Sequence, residues 1–251
     1  MRPSALACCV AFGLLQTGCQ GPIERVLDMD EERSIVLDAR ACEDGDPQAC
    51  TNIADILLRR ERAGDLQMAT QLLTDACSAD AYLACVQLAG LADAMEAERI
   101  LDEACQAGEA IACLRHADLE RDSNPLRAYG LYGLACEDRL FEACLRQGEM
   151  LKAGEGVSAD PEAAFALFRY LCADGGVAGC RENAKEMLDP TSPHADADIG
   201  EILAQRACSG GDAEGCWVSA QAATVPADAD AFRARACEFG FDRACGDPSG
   251  P

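Results

Sequence analysis

Seventeen cysteines stand in this chain of 251 residues, and fourteen of them fall into pairs of a single spacing. The pairs are Cys42/Cys50, Cys77/Cys85, Cys105/Cys113, Cys136/Cys144, Cys172/Cys180, Cys208/Cys216 and Cys237/Cys245, each with seven residues between the partners. Thiols at this density have metal ligation, buried packing and disulfide formation open to them. Structural zinc takes cysteines in close pairs, usually two residues apart, often with histidine. The sequence has only His116 and His194, in different repeats. Cysteine as a small core residue explains any one copy, but not seven copies at one spacing. Disulfides are the reading that accounts for all of them.

Two cysteines at i and i+8 on one straight helix lie about 12 Å apart, beyond disulfide reach. They pair only where the chain reverses between them. The first cysteine must therefore close one helix and the second must open the next. Each bridge closes a ring of nine residues.

The elements that carry these pairs show in the flanking sequence. Successive first cysteines are 35, 28, 31, 36, 36 and 29 residues apart, the period of a helix-hairpin repeat with variable shortening. Five residues before them stand Leu37, Leu72, Ile100, Leu131, Leu167, Leu203 and Phe232. Small residues such as Ala69, Ala128 and Gly200 stand eight before, and Ala76, Ala135 and Ala207 one before. Those offsets share one helix face, where small side chains let a neighbouring helix approach. Ala49, Ala112, Gly179 and Gly215 precede the second cysteine, and Ala54, Ala117, Gly148 and Ala184 stand four after it. The expectation is an all-α chain with two close-packed helices per repeat.

Turn residues agree. Asp46-Pro47, Asn124-Pro125 and Asp160-Pro161 read as an N-cap followed by proline at the first helical position. Glycines 45, 108, 175, 211 and 240 stand three residues after a first cysteine, where a helix end needs a left-handed residue. Asp80 and Arg139 replace glycine in two copies. Asp tolerates that conformation better than Arg, so the turn at Arg139 is expected to differ.

Aromatics make up only 5% of the chain against 49% hydrophobic residues, so alanine and leucine must do most of the packing. Formal charge is −23, with no basic patch of the kind a nucleic-acid binder shows. At the N-terminus Arg2 precedes a mostly apolar run from Ala5 to Leu15, too short to span a bilayer and shaped like a secretory signal. Thr17-Gly18-Cys19 resembles the lipobox of bacterial lipoproteins, although Gln16 stands where that pattern usually has leucine. The resemblance implies cleavage after residue 18 and lipid on Cys19. Cys8 and Cys9 would leave with the signal, so no odd thiol remains. Export to an oxidising compartment fits a disulfide framework.

The expected organisation is a signal over 1–18, an anchor or linker over 19–30, a repeat solenoid over 31–246 and a flexible tail over 247–251. Ile23 to Cys42 is read as a leading helix that caps the array.

The copy from Gly148 to Cys180 carries Gly154-Glu155-Gly156-Val157, then Asp160-Pro161-Glu162-Ala163-Ala164-Phe165. It resembles the Sel-one-like repeat, a tetratricopeptide-like helix hairpin. With the cysteine pairs, the chain is similar to the disulfide-rich Hcp-type proteins. The resemblance implies a right-handed superhelical solenoid with a concave face that binds a protein or peptide. The function expected on this basis is an exported, lipid-anchored, monomeric interaction scaffold of the bacterial cell envelope, with no catalytic, cofactor or metal site. The alternative the family carries is a penicillin-binding or β-lactamase-like protein acting on cell-wall-related small molecules. No serine here has a lysine three residues on, so the serine-lactamase motif is missing.

Among remaining candidates, the His194-Ala195-Asp196-Ala197-Asp198 run is read as a polar loop ahead of a helix rather than a metal cluster. Glu43-Asp44-Gly45-Asp46 is read as capping and turn chemistry. Phe165 and Phe168 fall on the core stripe and Tyr170 off it. Tyr129, Tyr132 and Trp217 stay open between core and binding groove.

Overall fold

The computed structural model describes residues 33–60 and 62–246. The signal, Cys19, the anchor segment and the tail from residue 247 lie outside the described residues. The helices are α1 Arg33–Glu43, α2 Pro47–Arg60, α3 Asp65–Ser78, α4 Tyr82–Ala89, α5 Ala94–Gln106, α6 Ala110–Glu120 and α7 Pro125–Glu137. They continue with α8 Phe141–Ala153, α9 Pro161–Ala173, α10 Val177–Leu188, α11 Ala197–Ser209, α12 Ala213–Ala222 and α13 Pro226–Glu238, then a 3-10 turn at Asp242–Ala244. No strand occurs among the described residues. The chain divides into two compact units, up to Ala84 and from Cys85, with the division inside α4. In the first unit α1, α2 and α3 pack in succession. In the second, each helix from α5 to α13 packs on the next, and α10 also packs on α12. That is a solenoid order of contacts.

Helix starts follow the expected caps. Asp46 Oδ1 accepts from the N–H groups of Gln48 at 2.9 Å and Ala49 at 3.2 Å. Asn124 accepts from Arg127 N–H and Asp160 from Ala163 N–H, each ahead of a proline. Asp93 and Asp196 cap α5 and α11 in the same way.

Helix ends repeat one motif at all seven first cysteines. The N–H three residues on donates to the cysteine carbonyl, and the next N–H donates to the carbonyl of the residue before the cysteine. At Cys172 these are Gly175 to Cys172 at 3.3 Å and Gly176 to Leu171 at 2.8 Å. This is the Schellman pattern, and it requires a left-handed residue at the third position. The five glycines there have φ between 90° and 99°. The turn at Arg139 does not differ, contrary to expectation. Arg139 takes φ 64° and Asp80 takes φ 61°, and both keep the two hydrogen bonds. Paired bonds plus a bridge to the next helix outweigh a left-handed penalty of about 1–2 kcal/mol. Arg139→Gly is therefore expected to stabilise the chain by about 1 kcal/mol, read as a higher urea midpoint with unchanged slope. The exposed Arg139–Asp174 pair it removes contributes little.

Small residues at the repeat positions are buried as the pattern requires: Ala69, Ala128, Ala135, Ala207, Ala112 and Ala184 have no exposed surface. Two ends depart from the pattern. Leu37 is 62% exposed, because no helix within the described residues covers that side of α1. Cys245 follows a single 3-10 turn instead of opening a helix, and it is exposed.

Candidate interaction surface

The cysteines meet as paired. Cα–Cα distances are 4.6 Å for Cys42–Cys50, Cys105–Cys113 and Cys136–Cys144, 4.4 Å for Cys172–Cys180, 4.3 Å for Cys208–Cys216 and 4.8 Å for Cys237–Cys245. Cys77 and Cys85 are disulfide-bonded as well. Every thiol within the described residues is thus used in a bridge, and none is left for ligation or nucleophilic chemistry.

Each bridge fixes where one helix hands over to the next, so side chains one repeat apart come side by side. Arg121 reaches Glu155 at 2.9 Å, Lys152 reaches Glu186 at 3.3 Å and Arg181 reaches Asp212 at 2.8 Å. Lys185 binds Glu182 at 2.9 Å and Glu214 at 2.6 Å. Part of this network borders two depressions, Arg181 at one and Lys185 with Glu214 at the other. One, of about 540 Å³, lies between α8 and α10, with Phe141, Leu145 and Val177 in its wall and Arg146, Glu149 and Arg181 at its rim. The other, of about 580 Å³, lies between α10, α12 and the last turn, lined by Leu188, Trp217, Val218, Phe241, Lys185 and Arg243. Trp217 packs against Phe241 at 5.6 Å between ring centroids, so it belongs to this wall. The cations of this network and the apolar walls make the face amphipathic.

Electrostatics differ along it. Burial works to raise the Glu182 carboxyl, but hydrogen bonds from Lys185 and Arg181 outweigh it and hold the group below its ordinary range. Burial pushes Glu149 up, and Arg146 offsets this only in part. A carboxyl raised in the folded state binds its proton more tightly there, so its contribution to stability is present at low pH and is lost as pH rises through the folded value. Glu149→Gln is expected to raise the thermal midpoint at neutral pH. That gain should vanish below the ordinary carboxylate pKa of about 4.3, where both side chains are neutral.

Other expected residues sort as follows. Phe165 and Phe168 are core, and Tyr170 is 49% exposed on α9. Tyr132 is buried and donates to Asp118 at 2.7 Å, so it is no groove aromatic. His194 sits in the loop before α11, stacked on Phe165 at 3.9 Å and bonded to Glu162 at 2.9 Å. Asp196 is spent on the α11 cap.

One cluster was not read from the sequence. On α6, His116 is wholly buried, with Nδ1 3.6 Å from Asp102 and Nε2 3.7 Å from Glu120. Arg127 of α7 lies beside it, 2.8 Å from Glu120, 3.0 Å from Asp102 and 3.5 Å from Glu98. The i, i+4 pairs Glu98/Asp102 and His116/Glu120 were the available signal, each placing its members on one helix face.

No protein-family model matches the chain, and no characterised protein sequence does. Solved structures do. A Sel1 repeat protein from Oxalobacter formigenes superposes with a TM-score of 0.70 at 18% identity, covering 83% of this chain and 66% of its own. A protective antigen of uropathogenic Escherichia coli with an SLR fold, c5321, gives 0.67 at 14% identity, covering 84% and 50%. This chain spans less than two thirds of either. At these identities what is shared is the backbone architecture: the chain has the fold of the Sel1 repeat proteins.

Proposed function

We propose that this chain is an exported, lipid-anchored repeat scaffold without catalysis, which binds an extended segment of a protein across α8, α10 and α12. The observation that carries the reading is the pair of partly apolar depressions whose charged members, Arg181 in one and Lys185 and Glu214 in the other, are joined by ion pairs. Helices packed about 8–10 Å apart would set the two wells roughly three residues of extended chain from each other. A peptide with large apolar side chains at that spacing fits. The bridges support an oxidising, extracytoplasmic setting, and no helix among the described residues is long and apolar enough to cross a membrane. A lipid on Cys19 is then the membrane tether.

Cross-linking from the cell envelope tests the surface. Glu142→Arg and Gln221→Arg, both exposed at the rims of the wells, should each abolish capture of a partner that Tyr170→Arg retains. Equal capture by all three variants rejects this face. Labelled palmitate entering the unaltered chain but not Cys19→Ala decides the anchor.

A further inference from the structure

His116 is the buried group that the packing does not explain. Its side chain has no exposed surface, and neither ring nitrogen has a hydrogen-bond partner among the described residues. A neutral imidazole carries one donor and one acceptor, and a fully buried one is normally satisfied. Here both nitrogens face carboxylates at 3.6 and 3.7 Å, beyond hydrogen-bond length. The oxygens of Glu98 and Glu120 and a nitrogen of His116 all lie within 4.8 Å of one another.

We propose that Glu98, His116 and Glu120 form a binding site for a divalent transition cation of the zinc type, with Arg127 as the cation it displaces. The residue set matches the chemistry: zinc takes imidazole nitrogen and carboxylate oxygen at about 2.0–2.2 Å, and three protein ligands with water in the fourth position is a known zinc arrangement. Nε2 faces Glu120 and is the ligating nitrogen. Nδ1 faces Asp102, which serves as the carboxylate that accepts from the second ring nitrogen and orients a metal-bound histidine.

The site is built from two facing helices. Glu98 and Asp102 sit one turn apart on α5, and His116 and Glu120 one turn apart on α6, with the Cys105–Cys113 bridge closing the hairpin between them. A surface depression of about 520 Å³ is lined by Glu98, Asp102 and Arg127, on the solvent side of the cluster. Arg127 is 40% exposed, so its guanidinium can leave toward solvent. One monovalent side chain now bridges three carboxylates; a divalent ion neutralises more of that charge, and the ligands must close by about an ångström to reach it.

Equilibrium dialysis of the oxidised mature chain against zinc, in excess magnesium to occupy weak surface carboxylates, tests this. One zinc per chain is expected, weakened at least about tenfold in His116→Gln and in Glu98→Gln, and tightened in Arg127→Ala. His194→Gln should leave binding unchanged. Because His116→Gln alters a buried position, Glu98→Gln, at a half-exposed one, is the decisive variant, and helix content by circular dichroism accompanies each. A zinc-induced shift of the His116 ring nitrogens in the nitrogen-15 spectrum distinguishes ligation from structural change. Zinc retained equally by Glu98→Gln overturns the proposal. So does zinc bound by Arg127→Ala but not by the unaltered chain, which would leave Arg127 as a permanent counter-ion.

Discussion

Reduction of the bridges is expected to unfold the chain at room temperature without denaturant. Each pair closes a nine-residue ring, and the chain-entropy estimate for such a ring is about 2.5 kcal/mol. Several together reach on the order of 10 kcal/mol, comparable to the whole stability of an ordinary domain. The far-ultraviolet helix signal should collapse once the thiols are reduced and alkylated, and recover on reoxidation if alkylation is omitted. Position should matter as well. In a stacked array each repeat is held by its neighbours, so an interior break costs two interfaces and a terminal one frays a single end. Removing Cys172 and Cys180 together by alanine should lower the midpoint more than removing Cys237 and Cys245, where the second cysteine is already exposed beside a short 3-10 turn. Identical melts for the reduced and oxidised chains would falsify the view that these bonds carry the fold.

The second large effect is centred on Phe168. Its ring is 2% exposed and packs with Cys144, Ala164 and Leu171, filling the space left by Gly148 on α8. A Cβ at residue 148 would lie 2.5 Å from Phe168 Cε1, so glycine is what lets the ring sit there. Phe168→Ala is expected to destabilise by about 3–5 kcal/mol, the transfer loss plus the cavity. Gly148→Ala forces the ring aside and should cost about 1–3 kcal/mol. The two sites touch, so Gly148→Ala with Phe168→Leu should be less harmful than the sum of the single changes, by at least about 0.5 kcal/mol. Urea titrations of the four proteins measure that coupling, and strict additivity would mean the ring does not rest on Gly148.

What could be read in advance was whatever closes within a few residues. The C-terminal turn of each first helix needs a cysteine, a left-handed residue three positions on and a small residue just ahead of the next cysteine, all inside nine residues. Proline caps at Asp46, Asn124 and Asp160 are equally local. Arg139 is local too: two backbone bonds and the Cys136–Cys144 bridge outweigh its poor left-handed propensity. Tyr132 was different. Its burial depends on Asp118, fourteen residues away on the preceding helix, and on the rotation that brings the two together.

Helical character, the alternation of helices across bridged turns and the inward placing of small residues all follow from short-range constraints that seven aligned copies repeat. Which side chains from different repeats meet depends instead on how the helices pack. Arg181 with Asp212, Trp217 with Phe241 and His116 among Asp102, Glu120 and Arg127 are brought together by helix phase and axial offset. Repeat spacings that vary from 28 to 36 residues change those offsets from one copy to the next, so the contacts between repeats follow no single period in the sequence.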